Sequence, residues 1–185
     1  IYERYKSMNI NSMFENFLFF FYQERRIIKN INFQILSQSR KSEIFINFNI
    51  KDNFQNRLNL QILHLSLILI NLNKHTQNIT FYKNKIFKLF FNNFDLEFRE
   101  KGMGDKLIEK KIFEIVNLVN YHLIEYKENL NQEKSLILIL KKFFIFNDLD
   151  NNVKYLERYI NKQNNHLKNV DFTKNFNQKI FLECY

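Results

Sequence analysis

Few residues of this 185-residue chain are of types that perform chemistry, and their spacing excludes most of it. The four histidines, His64, His75, His122 and His166, are scattered without the HExxH pattern, and the single cysteine, Cys184, provides no thiolate pair for zinc. With only two glycines, Gly102 and Gly104, there is no glycine-rich loop to cradle a phosphate. Cys184 as a nucleophile would need surroundings that stabilise a thiolate, which a chain end rarely offers. His64 and His122 fall within apolar stretches. A core or rim histidine held by one hydrogen bond is the expectation for each, with a ligand role as the alternative. No catalytic residues, no metal and no cofactor are expected, and the chain is not expected to be an enzyme.

One segment departs from this pattern. From Phe94 to Asp105 the chain reads FDLEFREKGMGD, and both of its glycines lie here within three residues of each other. A helix ending near Lys101 wants, just past its end, a residue able to take the left-handed conformation, and Gly102 supplies one. Gly104 is expected to relax the turn, and Asp105 to cap the next helix, where its charge also meets the helix dipole favourably. A tight corner between two helices accounts for all three residues.

The elements that must hold this corner are legible from hydrophobic periodicity, since proline is absent and glycine nearly so. An apolar stretch beginning near Ile10 and running through Phe17 to Phe21 predicts a helix, and the polar run Gln23 to Asn32 follows it. Ile35 to Lys41 reads as a second, short helix. The alternation of Ile44, Ile46, Phe48 and Ile50 has a strand's period, yet no second such run is available to pair with it, so a loop or extended connector is expected. Leu58 to Leu72 is apolar almost all round, as a helix at the centre of a bundle would be. Phe87, Phe90, Phe91, Phe94 and Phe98 share one face of a helix over roughly 79–101. Ile108, Ile112, Ile115, Val116, Val119 and Leu123 draw another such face. Leu136, Leu140 and Phe143 mark a further helix, and Val153, Leu156 and Ile160 a shorter one. Phe172, Phe176 and Ile180 suggest a last short helix in the tail. The predicted fold is all-α, a single compact domain of about seven helices over residues 1–185.

Composition supports one buried core: 45% of residues are hydrophobic and 17% aromatic. The net charge of +9 would ordinarily point to nucleic acid or an anionic membrane surface. Residues with AT-rich codons are inflated throughout, however, and a drift toward lysine yields the same charge without a partner. No window holds a dense basic run, and the phenylalanines fall on core faces instead of alternating with cations as in single-strand binders. The longest apolar run, Leu60 to Leu72, is interrupted by His64, Ser66 and Asn71 and is shorter than the about 20 residues of a membrane span. The chain opens at Ile1 without a methionine, which leaves its true start open, and no cleavable signal can be read from it.

Two pieces of the sequence, taken together, resemble a known family. Asp52-Asn53-Phe54-Gln55-Asn56-Arg57-Leu58, running on to Leu63-His64, is followed by the Phe94–Asp105 segment with Lys110-Lys111 beyond it. This is similar to the ubiquinol-cytochrome c chaperone family, in which an Asp-Thr-x-x-Gly-Arg-Phe lead-in to a Leu-His helix precedes a corner of the form Asp-x-x-Leu-Arg-Glu-x-Gly-Val-Gly-Asp. Upstream, Ile35 to Arg40 and Phe45 resemble the family's Ile-Val-x-x-Ala-Arg and Phe-Tyr positions, so the likeness covers roughly residues 33–160. Asn56 stands where the family has glycine, Ile50-Lys51 where it has Val-Pro, and Phe98 where it has leucine; asparagine can adopt the left-handed conformation a glycine would. The Arg-Glu-x-Gly-x-Gly-Asp form looks closer to the bacterial members.

The resemblance implies an all-helical, non-catalytic assembly chaperone that engages newly made cytochrome b and helps it into the bc1 complex of the respiratory chain. It further implies contacts with a ribosome, a second assembly factor and the membrane periphery, but not with DNA. The place would be the bacterial cytoplasm at the inner face of the membrane, or the mitochondrial matrix and inner membrane if the host is eukaryotic. Arg57, His64, Asp95, Arg99, Glu100, Gly102, Gly104 and Asp105 are the residues the resemblance singles out, each with a structural role (ion pair, cap or turn) as the alternative to partner contact. A basic helical module that binds RNA or the ribosome without a cytochrome b client is the rival reading. A family-like fold whose client has been lost is a third.

Overall fold

The computed structural model describes residues 10–72, 79–130, 132–147, 152–172 and 179–183, with side chains from residue 22 onward. Among the described residues seven helices run in the order α1 (Ile10–Ser39), α2 (Ser42–Asn47), α3 (Phe54–Asn71), α4 (Ile79–Glu100), α5 (Asp105–Asn129), α6 (Glu133–Phe143) and α7 (Asn152–Leu167). The fold is all-α, as its periodicities predict.

Helix α3 is the axis of the array. Every residue from Leu58 to Leu69 is buried, and α1, α5 and α7 pack around it, while α4 rests on α1 and α5, and α6 joins α5 to α7. A helix apolar all round has no face to give to water, so it can be stable only inside other helices. Its polar residues must then find partners in the core. Asn71 donates to Leu67 O at 2.8 Å and to Asn164 Oδ1 at 2.9 Å, and Asn59 donates to the Phe143 carbonyl and accepts from Gln55 at 3.2 Å. Helix α4 presents its aromatic ladder inward: Phe90, Phe94 and Phe98 are buried, with ring centroids 5.2 and 6.3 Å apart along the helix. Phe87 and Phe91 stack at 6.1 Å on the edge of the same face, half-buried.

Three expectations change. The polar run Gln23 to Asn32 does not interrupt the first helix, and the two helices read there are one of 30 residues. Ile27, Ile28, Ile31 and Ile35 carry a buried face straight through it, while Arg25, Arg26 and Lys29 point outward. The alternating Ile44 to Ile50 segment is mostly helix α2, because Ile44, Phe45 and Phe48 are the buried set and Ile46 is 75% exposed. That is a helical face, not a strand's. Only its end is extended: Ile50 forms an antiparallel bridge with Phe146, closed by Lys51 N donating to Ile145 O and Asn147 N to Asn49 O, both at 2.9 Å. A pairing partner therefore exists, in the connector after α6. The expected tail helix is not seen at either end: Phe172 lies in a turn and Ile180 in non-helical chain, while Phe176 is outside the described residues.

The segment 179–183 instead lies against α1 and α7. Gln34 accepts from Ile180 N at 2.6 Å, and Gln163 both accepts from Leu182 N and donates to Leu182 O at 2.9 Å. Amide side chains satisfy the backbone of this segment in place of a second strand.

Candidate functional site

The lead-in to α3 is built by two asparagines. Asn53 is the N-cap, accepting from Asn56 N at 2.8 Å. Asn56, fully buried in the first turn, donates to Lys51 O at 2.7 Å and Ile145 O at 2.8 Å and accepts from Ile145 N at 2.9 Å. It is helical, not left-handed, so its role is to fasten the bridge to α3; the left-handed residue of this region is Asn49, at φ 49°. Arg57, one residue on, grips Asp52 with two nitrogens at 2.7 and 3.0 Å and lies over the Phe45 ring at 5.7 Å. The hydrogen bonds from Arg57 lower the Asp52 carboxyl from its ordinary value.

The corner after α4 closes as its glycine implies. Gly102 sits at φ 74°, Gly102 N donates to Arg99 O at 2.9 Å, and Met103 N reaches back to Phe98 O at 3.1 Å. This is a Schellman end, in which the left-handed residue lets two amides bond the last free carbonyls of the helix. Gly104 has an ordinary extended backbone (φ −75°, ψ 154°) and is itself the N-cap of α5. A Cβ there would meet nothing within 4 Å, so no relaxation of the turn requires a glycine. Asp105 does not cap α5 with its side chain. Its carboxylate accepts from Arg99 Nη1 at 2.7 Å, and Arg99 also binds Asp95 at 2.8 Å through Nε, so one guanidinium spans both sides of the corner. Those two carboxylates raise the Arg99 pKa above its ordinary value. Glu100 is exposed and has no ion-pair partner among the described residues.

His64 does not join this group. It is fully buried in α3, and its partners fix its tautomer: Leu60 O at 2.7 Å can only accept, so Nδ1 carries the proton. Nε2 then accepts from the Tyr159 hydroxyl at 2.8 Å, which in turn accepts from Gln38 at 2.9 Å. Ser39 Oγ, 3.0 Å from Nδ1, donates to Ile35 O at 2.6 Å. Burial pushes the His64 pKa down to about 4. The residue locks α1, α3 and α7 together as a neutral core histidine. His122 is likewise buried, its ring stacked on Phe143 at 3.6 Å, and burial lowers it also to about 4. His75 and Cys184 lie outside the described residues.

The two sequence motifs converge on a cleft of about 360 Å³ where the ends of α1 and α4 meet the start of α3. Arg40, Phe54, Arg57, Gln61, Phe94 and Glu97 form most of its lining. Lys101, held to Glu97 as an i,i+4 pair, lies 5.8 Å over the Phe54 ring and ties the corner to the lead-in. Of the residues singled out by sequence, Arg57 lines the cleft, the Asp95–Arg99–Asp105 cluster stands at the corner beside it, and His64 is in the core behind. Phe54 was missed; it is 55% exposed although aromatic. Its one legible signal was its place directly after the N-cap Asn53, where a helix has not yet turned inward.

The geometry defines a class first: an all-α array presenting a cleft of mixed polar and apolar lining beside an ion-paired corner. Among the described residues, no three His, Cys, Asp or Glu side chains are grouped as a metal site, and no helix is long and apolar enough to cross a membrane. The family model for the ubiquinol-cytochrome c chaperone matches residues 47–180, and the chain belongs to that family. Among solved structures, the crystal structure of the Cbp3 homolog from Brucella abortus is similar over 86% of this chain and 90% of that one, with 18% identity and a TM-score of 0.75. At that identity the likeness is one of fold. Comparison with curated proteins finds no match.

Proposed function

We propose that this protein is a non-enzymatic chaperone that holds newly made cytochrome b during assembly of the ubiquinol-cytochrome c reductase complex, and that the cleft at Phe54 and Arg57 is where the client is held. Membership of the chaperone family supports the assembly role. The observation that carries the site is the meeting of the lead-in and the corner at one cleft, through Phe54 and Lys101. Apolar surface from Phe54, Leu58 and Phe94 beside the Arg40 and Arg57 cations suits a segment of a membrane protein before insertion, where an apolar stretch ends in carbonyls or acidic groups. Arg57 and Phe54 would touch the client. The Arg99 ion pairs with Asp95 and Asp105 would set the angle between α4 and α5, and Glu100, exposed beside them, is placed for a contact of its own. On this reading the protein works at a membrane surface, on the bacterial cytoplasmic side or the mitochondrial matrix side, near the ribosome and with a second assembly factor.

Affinity purification of the tagged protein from its own or a related host in mild detergent, with the bound proteins identified, tests this. Cytochrome b is expected, and is expected to be lost with Phe54→Asp. Recovery of ribosomal proteins or RNA with no cytochrome b would overturn the client assignment and favour the RNA-binding reading.

A further inference from the structure

A second concavity lies on the same α1–α4 seam, toward the other end of both helices. It is a trough of about 510 Å³. The two helices run side by side in the same direction: Asn93 donates to Asn32 at 3.2 Å, Tyr82 bonds Glu24 one end along, and Arg40 faces Glu97 across the cleft at the other. The floor of the trough includes Ile28, Phe81 and Leu89. Each bank carries two cations about one turn apart, Arg25 and Lys29 on α1 and Lys85 and Lys88 on α4. All four are exposed, and none has an ion-pair partner among the described residues. The one carboxylate here, Glu24, is buried and bonded to Tyr82.

Arg57, Arg99, Lys101 and Lys41 each hold a carboxylate, but most described cations, like the four of the trough, do not, so it is the arrangement of those four on two facing banks that sets the trough apart. Four cations facing each other across an apolar floor, Lys85 resting 5.4 Å over the Phe81 ring and near the single Glu24 carboxyl, give the trough a net positive field among the described residues. We propose that the trough is a docking site for an amphipathic helix of a protein partner, a helix with acidic residues on both flanks of an apolar stripe. The apolar stripe fills the floor in the helix-in-groove manner, and the flanking carboxylates meet the two banks at the one-turn spacing that both helices share. Two features favour this occupant over a polyanion. The apolar floor of Ile28, Phe81 and Leu89 offers a phosphate backbone nothing, and the spacing of the two cation banks across it matches a single helix. A flat bilayer, for its part, cannot enter a trough between two helices. The site is distinct from the cleft at Phe54, so the proposal does not depend on the client assignment.

The test uses the full chain and fluorescence anisotropy with a labelled synthetic helix, its apolar stripe flanked by glutamates and long enough to span the trough. A scrambled peptide of the same composition, an oligouridine and phosphatidylcholine–phosphatidylglycerol vesicles serve as competing probes. The glutamate helix is expected to bind and the scrambled peptide not to. Lys85→Glu/Lys88→Glu is expected to weaken binding about tenfold or more, and a helix with lysines on one flank and glutamates on the other to bind that variant in its place. Lys134→Glu/Lys141→Glu, exposed positions on α6, is expected to leave binding unchanged. Equal binding to both variants would overturn the proposal. So would loss of oligouridine or vesicle binding in the trough variant without loss of the helix, which would assign the trough to nucleic acid or lipid.

Discussion

The two glycines of the corner differ in what they do, and substitution separates them. Gly102 holds φ 74°, and a Cβ built there meets nothing within 4 Å. Gly102→Ala therefore carries no clash; its cost is that of placing an L-residue in the left-handed region, about 1–2 kcal/mol. Gly104 already has the extended backbone of an N-cap with space around it. Gly104→Ser adds a hydroxyl able to accept from an amide of the first turn of α5 and removes the freedom of a glycine from the unfolded chain, a gain of about 0.5 kcal/mol. Urea unfolding followed by far-ultraviolet circular dichroism reads both. With a slope of about 2–3 kcal/mol/M, Gly102→Ala should lower the midpoint by roughly 0.5 M, and Gly104→Ser should raise it slightly, with the slope unchanged. Equal destabilisation by both, or none by Gly102→Ala, would refute the Schellman geometry and the assignment of Gly104 as an unstrained cap. A Gly104→Ser protein that is more stable yet loses its client would show that the bare backbone of this residue is a contact surface.

Further outcomes follow from the buried polar groups. His64 is neutral in the fold with a pKa of about 4 against an ordinary 6.5, so the unfolded chain takes up its proton first as pH falls. Its contribution, about 3 kcal/mol, is complete above pH 6.5 and is lost between pH 6.5 and 4. His122 acts in the same direction. Glu24 and Glu157, raised by burial, act in the opposite direction, so the test is a difference: in chemical denaturation across that window the pH slope of stability should be about one proton smaller in His64→Gln, and equal slopes would contradict the buried, neutral assignment. Asn56→Ala leaves Ile145 N and Lys51 O without their bonds to α3 and should cost roughly 2 kcal/mol. Amide exchange at Ile145 should rise markedly more than at Leu63 in the same variant, whereas uniform exchange would show that Asn56 is not a local fastener.

How far residues alone reached depended on where their partners were. The aromatic face of α4 and the Gly102 turn were legible because each is set by neighbours within a turn or two of helix. The break assumed within α1 came from weighing polar residues by count, when the isoleucines among them kept the helical period. The alternation at Ile44 to Ile50 misled for the opposite reason, since Ile46 is apolar but faces outward. Asp105 looked like a cap because local spacing places it at a helix start, yet Arg99 from the preceding helix claims its carboxylate. Asn56, Gln38 and Gln163 bond groups across the fold, and no local pattern marks such partners.

The central proposal for this protein is that the cleft at Phe54 and Arg57 serves assembly of the ubiquinol-cytochrome c reductase complex. Its most direct measurement is the level of spectroscopically assembled cytochrome b, with ubiquinol-cytochrome c reductase activity, in cells whose own copy is replaced by Phe54→Asp/Arg57→Glu. The protein should accumulate normally, since both side chains are exposed, while cytochrome b and reductase activity fall toward the levels of the gene deletion. Full activity with the altered cleft would contradict the site, and full activity in the deletion itself would contradict the function.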